Sequence, residues 1–196
     1  MQWLLFTLGG YLIGSISSAV LISRVMGLPD PRLEGSGNPG ATNVLRLGNK
    51  AAAALTLVGD LLKGTLPVLF ALQVSGDQSV VAGAAAGAFL GHLFPVFFKF
   101  QGGKGVATAL GVFLAVNPLM GLGLAVTWLA TALVFRFSSL AALVAAASAP
   151  AWAWWTTQDP VYIALAIGLA GVLIWRHRAN IRRLINGEES RIGKKS

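Results

Sequence analysis

The stretch VATALGVFLAVNPLMGLGLAVTWLATALVF, residues 106–135, decides the fold class, because it is apolar almost throughout and carries no charged residue. A helix that crosses a bilayer needs about 20 apolar residues at a rise of about 1.5 Å each, and this stretch is too long for one such helix. Asn117-Pro118 divides it, since proline removes a helix hydrogen-bond donor and disfavours helix in the residue before it. The stretch therefore predicts a short helix over about 105–116 and a longer one over 118–135.

The rest of the chain is also strongly hydrophobic and poor in charged residues. Of its 196 residues, 55% are hydrophobic and 11% are charged, whereas soluble domains carry about 25% charged residues. The sequence predicts a single all-α domain over residues 1–196, a polytopic membrane protein of about seven transmembrane helices. Because the segments at 105–116 and 161–175 are short, five or six spans stay open as alternatives. The five further predicted spans are Trp3–Ile22, Ala51–Val74, Val80–Phe98, Ser139–Thr157 and Val161–Trp175.

The basic residues orient this topology, because Lys and Arg concentrate in cytoplasmic loops. With seven spans, every one of the 15 basic residues except Lys63 falls on one face of the membrane. The asymmetry predicts an N-terminus outside and a C-terminus in the cytoplasm. It also accounts for the net charge of +8 without a nucleic-acid partner. The residues on this face are Arg24, Arg32, Arg46, Lys50, Lys99, Lys104, Arg136, Arg176, Arg178, Arg182, Arg183, Arg191, Lys194 and Lys195.

The loop GSGNPGATNVLR, Gly35–Arg46, lies on the same predicted face and has the composition of an anion cradle. Glycines let backbone N–H groups approach a ligand, and the Arg46 guanidinium offers a fork for phosphate oxygens. An ordinary connecting loop is the alternative, because Gly and Asn also supply turns. The candidate substrate-binding residues of this loop are Ser36, Gly37, Asn38, Thr42 and Asn43.

The loop QGGKGVAT, Gln101–Thr108, also combines glycines with a basic residue and is a second candidate phosphate-binding loop. Gly102 and Gly103 precede Lys104, and a predicted helix follows at once, so a point-charge phosphate binder stands beside a flexible backbone. The loop is not a Walker A motif, because the GxxxxGK[ST] spacing is absent. A turn with a lysine that reaches the membrane surface is the alternative.

The segment HRANIRRLINGEE, His177–Glu189, follows the last predicted span. His177 and Asn180 lie about one helical turn apart and face the same side, so His177 is a candidate to orient or deprotonate a hydroxyl. The alternative is a basic amphipathic anchor on anionic lipid. Ser138 and Ser139 are expected to cap a helix on this face, and they are also candidate substrate contacts.

Two further features lie within predicted spans. Asp60 and Lys63, spaced i, i+3, predict a buried structural pair that supports the loops, because charges inside a membrane are costly and usually paired. His92 is interpreted as a hydrogen-bond partner between helices rather than a ligand. Close helix packing is predicted by the four-residue spacing of Gly83, Gly87 and Gly91.

Several kinds of site are missing from the sequence. The chain has no cysteine, so thiol nucleophiles and iron–sulfur clusters are excluded. It has no acidic pair suited to a divalent metal, no GxSxG elbow and no HxxxxD pair. The sequence predicts no cofactor and no metal, and a site that holds phosphate with backbone, lysine and arginine but has few candidate bases.

The three loop segments, in this order and spacing, resemble the signature segments of the bacterial acyl-phosphate:glycerol-3-phosphate acyltransferases, small integral membrane enzymes. GSI at Gly14–Ile16 and DLLKG at Asp60–Gly64 also fit the family pattern, and the likeness extends over residues 9–191. Gln101 and Ser17 depart from it, standing where the family often has lysine and proline. The first departure weakens the local positive charge.

The resemblance implies a reaction in which acyl phosphate and sn-glycerol 3-phosphate give 1-acylglycerol 3-phosphate and phosphate, at the cytoplasmic face of a bacterial inner membrane. It implies that Gly102–Lys104 hold the glycerol phosphate, that Ser36 and Arg46 lie at phosphate groups, and that His177 and Asn180 lie near the glycerol and acyl phosphate. Lys104, Arg46 and His177 are the expected catalytic residues. Glycerol 3-phosphate, a long-chain acyl phosphate and membrane lipid are the expected partners, and the oligomeric state stays open.

The expected mechanism follows from the missing nucleophile. An acyl phosphate is already activated, so the glycerol hydroxyl attacks it directly once both substrates are held in near-attack geometry. The proton goes to a substrate phosphate or to His177. A transporter is the rival interpretation, but a carrier usually places its substrate site near the bilayer midplane. A membrane scaffold with a basic tail is a third.

Overall fold

The computed structural model describes residues 1–193, which form ten α-helices, one turn of 3-10 helix at Val96–Phe98 and no β-strand. The helical class predicted from the sequence is therefore confirmed for these residues. The helices are α1 (Gln2–Gly14), α2 (Ser18–Val25), α3 (Ala41–Arg46), α4 (Lys50–Val74), α5 (Gln78–Leu93), α6 (Val106–Val116), α7 (Pro118–Phe135), α8 (Ser138–Thr157), α9 (Pro160–Arg176) and α10 (Arg178–Ile185).

The division at Asn117-Pro118 is confirmed, and Asn117 is the residue between two helices. Its side-chain oxygen accepts hydrogen bonds from the backbone N–H groups of Leu119 at 2.9 Å and Met120 at 3.1 Å. Pro118 occupies the first turn of α7, where a missing N–H costs nothing. One Asn-Pro pair thus ends α6 and begins α7.

Two of the predicted spans are not continuous helices. The segment predicted as one helix over Trp3–Ile22 is α1 and α2, separated at residues 15–17. The predicted helix Val80–Phe98 ends at Leu93, because the residue before Pro95 leaves the helical region. The first break has no proline to announce it, and it is held by contacts with distant residues described below.

Length and composition alone mark fewer candidate membrane spans in the described residues than the seven predicted from the sequence. Four segments are long and apolar enough to cross a bilayer: Gln2–Val25, Lys50–Val74, Gln78–Phe98 and Pro118–Phe135. A fifth is reached if α9 and α10, which meet at 59°, are counted together. With 11 residues, α6 is too short by this measure.

Small residues set the helix packing. Helix α1 lies along α5, and a Cβ at Gly87 or Gly91 would overlap the backbone of α1 at Thr7 or Tyr11. The close packing predicted from the glycine row is therefore confirmed. Helix α4 packs on α6 in the same manner, since a Cβ at Gly64 would overlap the backbone of Thr108. Helix α7 packs on α8, and α8 packs on α9. A cavity lies between these three helices and α4 and α6.

Candidate active site

A cavity of about 590 Å³ opens at the loop before α4 and runs between α4, α6, α7, α8 and α9. Its mouth is polar and its inner part is apolar. Gly37, Gly102 and Gly103 are not on its wall. The wall brings together all the other predicted site residues: Ser36, Asn38, Thr42, Asn43, Arg46, Lys104, Ser138, Ser139, His177 and Asn180.

The loop Gly35–Arg46 is organised around Asn43, whose side chain is 1% exposed. The Asn43 side-chain nitrogen donates to the carbonyl oxygens of Pro31 at 2.8 Å and Glu34 at 3.0 Å, and its oxygen accepts from the backbone N–H of Ser36 at 2.9 Å. Asn43 thus uses its amide on the protein backbone and shapes the loop around Ser36. Gly35 and Gly37 sit at φ values of +58° and +67°, where glycine is favoured.

Arg46 ends α3 and is exposed at the mouth of the cavity. The loop also meets the start of α8, because the hydroxyl groups of Thr42 and Ser138 are 3.3 Å apart. This contact joins segments 96 residues apart in the chain. The mouth of the cavity is therefore built jointly by the first loop and the α7–α8 turn.

The loop Gly102–Lys104 is held from two sides. Arg176 donates from Nη2 to the carbonyl oxygens of Gly102 at 3.0 Å and Gly103 at 2.9 Å, and its Nε donates to Gly103 at 3.2 Å. On the other side, the backbone N–H of Gly103 donates to the carbonyl oxygen of His92 at 3.1 Å. The loop carbonyls therefore point at Arg176 and away from the cavity. The sequence analysis counted Arg176 only among the basic residues of the predicted cytoplasmic face and did not name it as a candidate site residue.

Lys104 is joined to the segment after α9 by a chain of hydrogen bonds. Its Nζ donates to the side-chain oxygen of Asn180 at 2.5 Å. The side-chain nitrogen of Asn180 donates to Glu189 Oε1 at 2.7 Å, and the same oxygen accepts from the hydroxyl of Ser139 at 2.7 Å. Arg183 Nε completes the set at 2.7 Å from Glu189 Oε2. The charge of Glu189 thus fixes which end of the Asn180 amide faces Lys104.

Glu189 is a site residue that the sequence analysis did not name. It is 9% exposed and lies on the cavity wall. The signal in the sequence was its place in the segment His177–Glu189, which ends in an acidic residue after a basic run. Its partners cannot be read from that segment, because Ser139 lies 50 residues away.

His177 lies at the joint between α9 and α10 and is 3% exposed. Its Nδ1 is 2.9 Å from the carbonyl oxygen of Leu173, so in the neutral ring Nδ1–H donates to that oxygen. Nε2 is then the acceptor. A histidine fixed in this way can orient a hydroxyl or accept its proton.

The charges at the mouth of the cavity favour an anion there. Burial of the ammonium lowers the pKa of Lys104 to about 8, with Arg183, Arg46 and Arg176 adding to the shift and Glu189 opposing it. Burial alone would raise the pKa of Glu189, but hydrogen bonds from Ser139, Asn180 and Arg183 hold it below its usual range. A phosphate would relieve the repulsion among these cations.

The described residues 1–193 contain no group of three or more His, Cys, Asp or Glu side chains placed to hold a metal ion. Besides the Glu189 carboxylate, which Ser139, Asn180 and Arg183 bind, the mouth of the cavity presents cations, amides and hydroxyls, which suit phosphate oxygens.

The inner part of the cavity is lined by apolar side chains from five helices. Small side chains of α8 form one wall, and Leu, Phe and Trp side chains of the other helices form the rest. A narrow apolar space that opens directly from an anion site fits an amphiphile with a charged head. The α8 wall consists of Ala142, Ala145, Ala146 and Ala149, and it faces Leu110, Phe113, Leu124, Trp128 and Leu169.

The buried pair predicted at Asp60 and Lys63 is confirmed, with Lys63 Nζ 2.9 Å from Asp60 Oδ1. Lys63 Nζ also donates to the carbonyl oxygen of Ile16 at 2.8 Å, in the break between α1 and α2. His92 lies beside the pair and links α5 to α4, but its Nδ1 is 3.6 Å from Asp60 Oδ1, too far for the hydrogen bond that the sequence predicted. Asp60 and His92 both reach the wall of the cavity.

Comparisons with known proteins point to one family. The sequence profile of the family described as "Glycerol-3-phosphate acyltransferase" matches residues 4–187. A curated relative of that name from Halorhodospira halophila is 60% identical over 184 residues, which cover 94% of this chain and 93% of the relative. Another, from Burkholderia pseudomallei, is 59% identical over 199 residues, which cover 100% of this chain and 98% of the relative.

Solved structures agree. The glycerol 3-phosphate form of PlsY (YgiH), an integral membrane glycerol 3-phosphate acyltransferase, matches with a TM-score of 0.93 and 40% identity, over 98% of this chain and 96% of that chain. The lysophosphatidic acid form matches with a TM-score of 0.91 and 39% identity, over the same shares of the two chains.

Proposed function

Because the chain belongs to the glycerol-3-phosphate acyltransferase family, we propose that it transfers a long-chain fatty acyl group from acyl phosphate to the C1 hydroxyl of sn-glycerol 3-phosphate. The products are 1-acylglycerol 3-phosphate and inorganic phosphate, and the reaction is the first acylation of bacterial phospholipid synthesis. The observation that carries the proposal is the single cavity in which a cationic mouth opens into an apolar interior. That shape suits a donor with a phosphate head and a fatty chain. The relatives' bound glycerol 3-phosphate and lysophosphatidic acid are consistent with the same acceptor and product here.

Phosphate binding falls to the groups at the mouth. Lys104 supplies a half-buried ammonium and Arg46 an exposed guanidinium. The residues Lys104–Ala107 at the start of α6 lie on the cavity wall, so the free N–H groups of that helix end face the same space. Gly102 and Gly103 act by letting the loop approach α5 and Arg176, and Asn43 acts by shaping the loop around Ser36.

The chemical step is a direct transfer. The C1 hydroxyl oxygen attacks the acyl carbon, and the bond from that carbon to the phosphate oxygen breaks, so phosphate leaves with the electron pair. Lys104 and Arg46 stabilise the negative charge that grows on the leaving phosphate. The hydroxyl proton passes to a substrate phosphate oxygen, while His177 Nε2 accepts the hydroxyl hydrogen bond and orients the nucleophile.

The membrane arrangement belongs to the same proposal. We infer seven transmembrane helices, with α6 and α9 as short members, an outside N-terminus and the active site on the cytoplasmic face of a bacterial inner membrane. The cationic mouth and the start of the basic tail lie at one end of the bundle, as that orientation requires. Since the chain has no cysteine, single cysteines introduced at Asp77 and Arg178 can be labelled in intact cells. An impermeant maleimide should react only at position 77, and reaction at both positions would contradict the orientation.

The reaction is tested with purified protein, palmitoyl phosphate and sn-glycerol 3-phosphate. Phosphate and 1-palmitoylglycerol 3-phosphate should appear in equal amounts, and omission of the glycerol phosphate should abolish phosphate release. Absence of phosphate release with both substrates would refute the proposal that acyl phosphate is the acyl donor. Trapping of a covalent acyl-enzyme in a quenched reaction would refute direct transfer.

The role of His177 is tested by single-turnover rates of His177→Ala and His177→Asn. An orienting group is replaced in part by the Asn amide, whereas a general base is not. We therefore expect His177→Asn to keep most of the rate that His177→Ala loses. Equal loss in the two variants would assign His177 as the base.

A further inference from the structure

Three titratable side chains that the proposed reaction does not use lie together below the mouth of the cavity. Asp60 and Lys63 belong to α4 and His92 to α5, and they are 3%, 6% and 6% exposed. Charged groups inside a membrane protein are costly, and where they occur they usually serve a function.

Lys63 is tied away from the cavity. Its Nζ contacts Asp60 Oδ1 at 2.9 Å and donates to the carbonyl oxygen of Ile16 at 2.8 Å. That carbonyl lies in the break between α1 and α2, outside any helix. Lys63 therefore anchors the Asp60 carboxylate to the broken first segment, and Lys63 is not on the cavity wall.

His92 faces Asp60 with one ring nitrogen and the loop with the other. Its Nδ1 is 3.6 Å from Asp60 Oδ1, which is longer than a hydrogen bond, and Nδ1 has no hydrogen-bond partner in the described residues. On the opposite edge of the ring, a Cβ added to Gly103 would overlap His92 Nε2. The ring therefore lies against the Gly103 Cα, and the backbone of His92 holds the same residue through its carbonyl oxygen.

The loop that carries Lys104 is thus held between two side chains. Arg176 binds the carbonyl oxygens of Gly102 and Gly103 on one side, and the His92 ring packs on Gly103 from the other. A residue larger than glycine at 103 would overlap the His92 ring, so either the ring or the loop would have to move. The next residue along the loop is Lys104, whose position sets the anion site.

We propose that His92 and Asp60 are positioning residues for glycerol 3-phosphate, which fix the Gly102–Lys104 loop and so the place of the Lys104 ammonium. Lys63 holds Asp60 in place. The proposal rests on the proposed function only in taking that loop as the glycerol phosphate site. It assigns no proton transfer to His92, because its two ring nitrogens face Asp60 and the loop at Gly103.

The first test compares His92→Ala and His92→Gln with the unchanged protein. Removal of the ring should weaken binding of sn-glycerol 3-phosphate at least about tenfold, since losing one well-placed hydrogen bond to a charged group costs about that much in an equilibrium constant. The Gln amide can replace Nε2 against Gly103, so His92→Gln should recover most of the affinity. Binding is measured by equilibrium titration with sn-glycerol 3-phosphate in detergent, and KM for palmitoyl phosphate should stay within about twofold, because the apolar interior is not altered.

The matched control is Thr56→Val, which removes a buried, unpartnered hydroxyl one helical turn from Asp60, at a position off the cavity wall. A network that merely stabilises the fold would lower the melting temperature of the His92 variants and affect both substrates alike, whereas Thr56→Val, which removes an unpartnered hydroxyl, should leave both unchanged. The proposal requires a selective loss for glycerol phosphate in the His92 variant, with no loss in Thr56→Val.

The second test uses the contact itself and stays informative even if His92→Ala is unstable. Gly103→Ala should weaken glycerol phosphate binding in the normal background, because the added methyl meets the ring. In His92→Ala the same change should have little further effect, since the ring is gone. His92→Gln with Gly103→Ala provides the intermediate case, with a flexible side chain at the contact.

Additive losses in the two single variants and the double variant would overturn the proposal, as would unchanged glycerol phosphate affinity in His92→Ala. These readouts are binding constants, so they stand apart from the identity of the acyl donor. If the unchanged protein binds glycerol 3-phosphate but releases no phosphate from palmitoyl phosphate, the donor assignment fails and the positioning role is still decided.

Discussion

The contact between α1 and α5 and the cavity beside α8 are both lined by small residues, with opposite results. In the first, each glycine meets backbone: Gly10 and Gly14 of α1 lie against Ala84 and Ala88 of α5, with no room for a Cβ. In the second, the alanines of α8 face larger side chains of other helices across an open space.

The difference lies in what stands opposite each small residue. Where both helices present small side chains, the backbones approach until the gap is closed, as is common in membrane helix pairs. On the α8 wall of the cavity the residues are alanines, and the opposite wall consists of Leu, Phe and Trp side chains of other helices. These large side chains keep the other helices away from α8, so a cavity remains between them. Apolar spaces of this kind are the usual sites for ligands. Small residues thus allow close helix packing in one region and line an open cavity in the other.

The largest effect is expected where the closed contact is broken. Gly87→Val should prevent α1 from docking on α5, because its side chain would overlap the backbone of Thr7, which cannot rotate away. Overpacking in cores costs about 1–3 kcal/mol, and a backbone clash stands at or beyond the upper end. The measurement is thermal unfolding of the purified protein by size-exclusion chromatography. Gly171→Ala is the control, since a Cβ at Gly171 meets nothing, and an equal loss there would contradict the explanation.

The next effect tests the polar end of the cavity. Lys104→Met keeps the length of the side chain but removes its charge, and we expect kcat/KM to fall by about a hundredfold to a thousandfold, as for other groups that stabilise developing charge. Lys99→Met is the control, because Lys99 lies just before the loop but away from this cavity. A similar loss in both variants would mean that general positive charge near the membrane is what matters.

The apolar end should respond separately. Ala145→Leu adds bulk inside the cavity and should lower kcat/KM for palmitoyl phosphate at least about tenfold, since single methylene changes in apolar pockets have effects of that order. Affinity for glycerol 3-phosphate should not change. The neighbouring exposed Ala147, which is off the cavity wall, gives the control variant Ala147→Leu. Equal effects of the two substitutions would show that the α8 wall does not face the acyl chain.

The smallest effect is on pH dependence. With a pKa of about 8 in the ligand-free protein, Lys104 is charged below that pH and loses its charge as the pH rises through it. If the charged form binds, the affinity for glycerol 3-phosphate should fall about fourfold between pH 7 and about 8.5, by simple titration of one group. Lys104→Arg keeps its charge over this range and should remove the decline. An unaltered decline in Lys104→Arg would assign the titration to another group.

Much of the site could be predicted from the sequence, but the way its parts meet could not. The motifs indicated Lys104, Asn180 and His177, because their residue types and local spacing carry the information. They did not indicate that Glu189 binds Ser139 and Asn180 together, or that Arg176 holds the glycine loop from 73 residues away. These are tertiary contacts, and a single sequence has no local signal for them.

The first predicted span shows the same limit within a helix. Residues 3–22 are apolar enough to form one helix, yet the chain breaks at residues 15–17. The carbonyl oxygen of Ile16 that the break releases is bound by Lys63, 47 residues later. A hydrogen bond from a distant lysine thus offsets the helix hydrogen bond that the break removes. The periodicity of residues 3–22 contains no information about that lysine.

By itself, the sequence determined the helical membrane class, the division at Asn117-Pro118 and the three polar segments that carry the site. It did so because the length of apolar runs, the chemistry of proline and the placement of charge are local properties of the chain. Only the tertiary structure decided where small residues close a contact and where they leave a cavity, and which side chains hold the loop of Lys104. Those outcomes depend on what each residue meets across the bundle, and that partner is set by packing of distant segments.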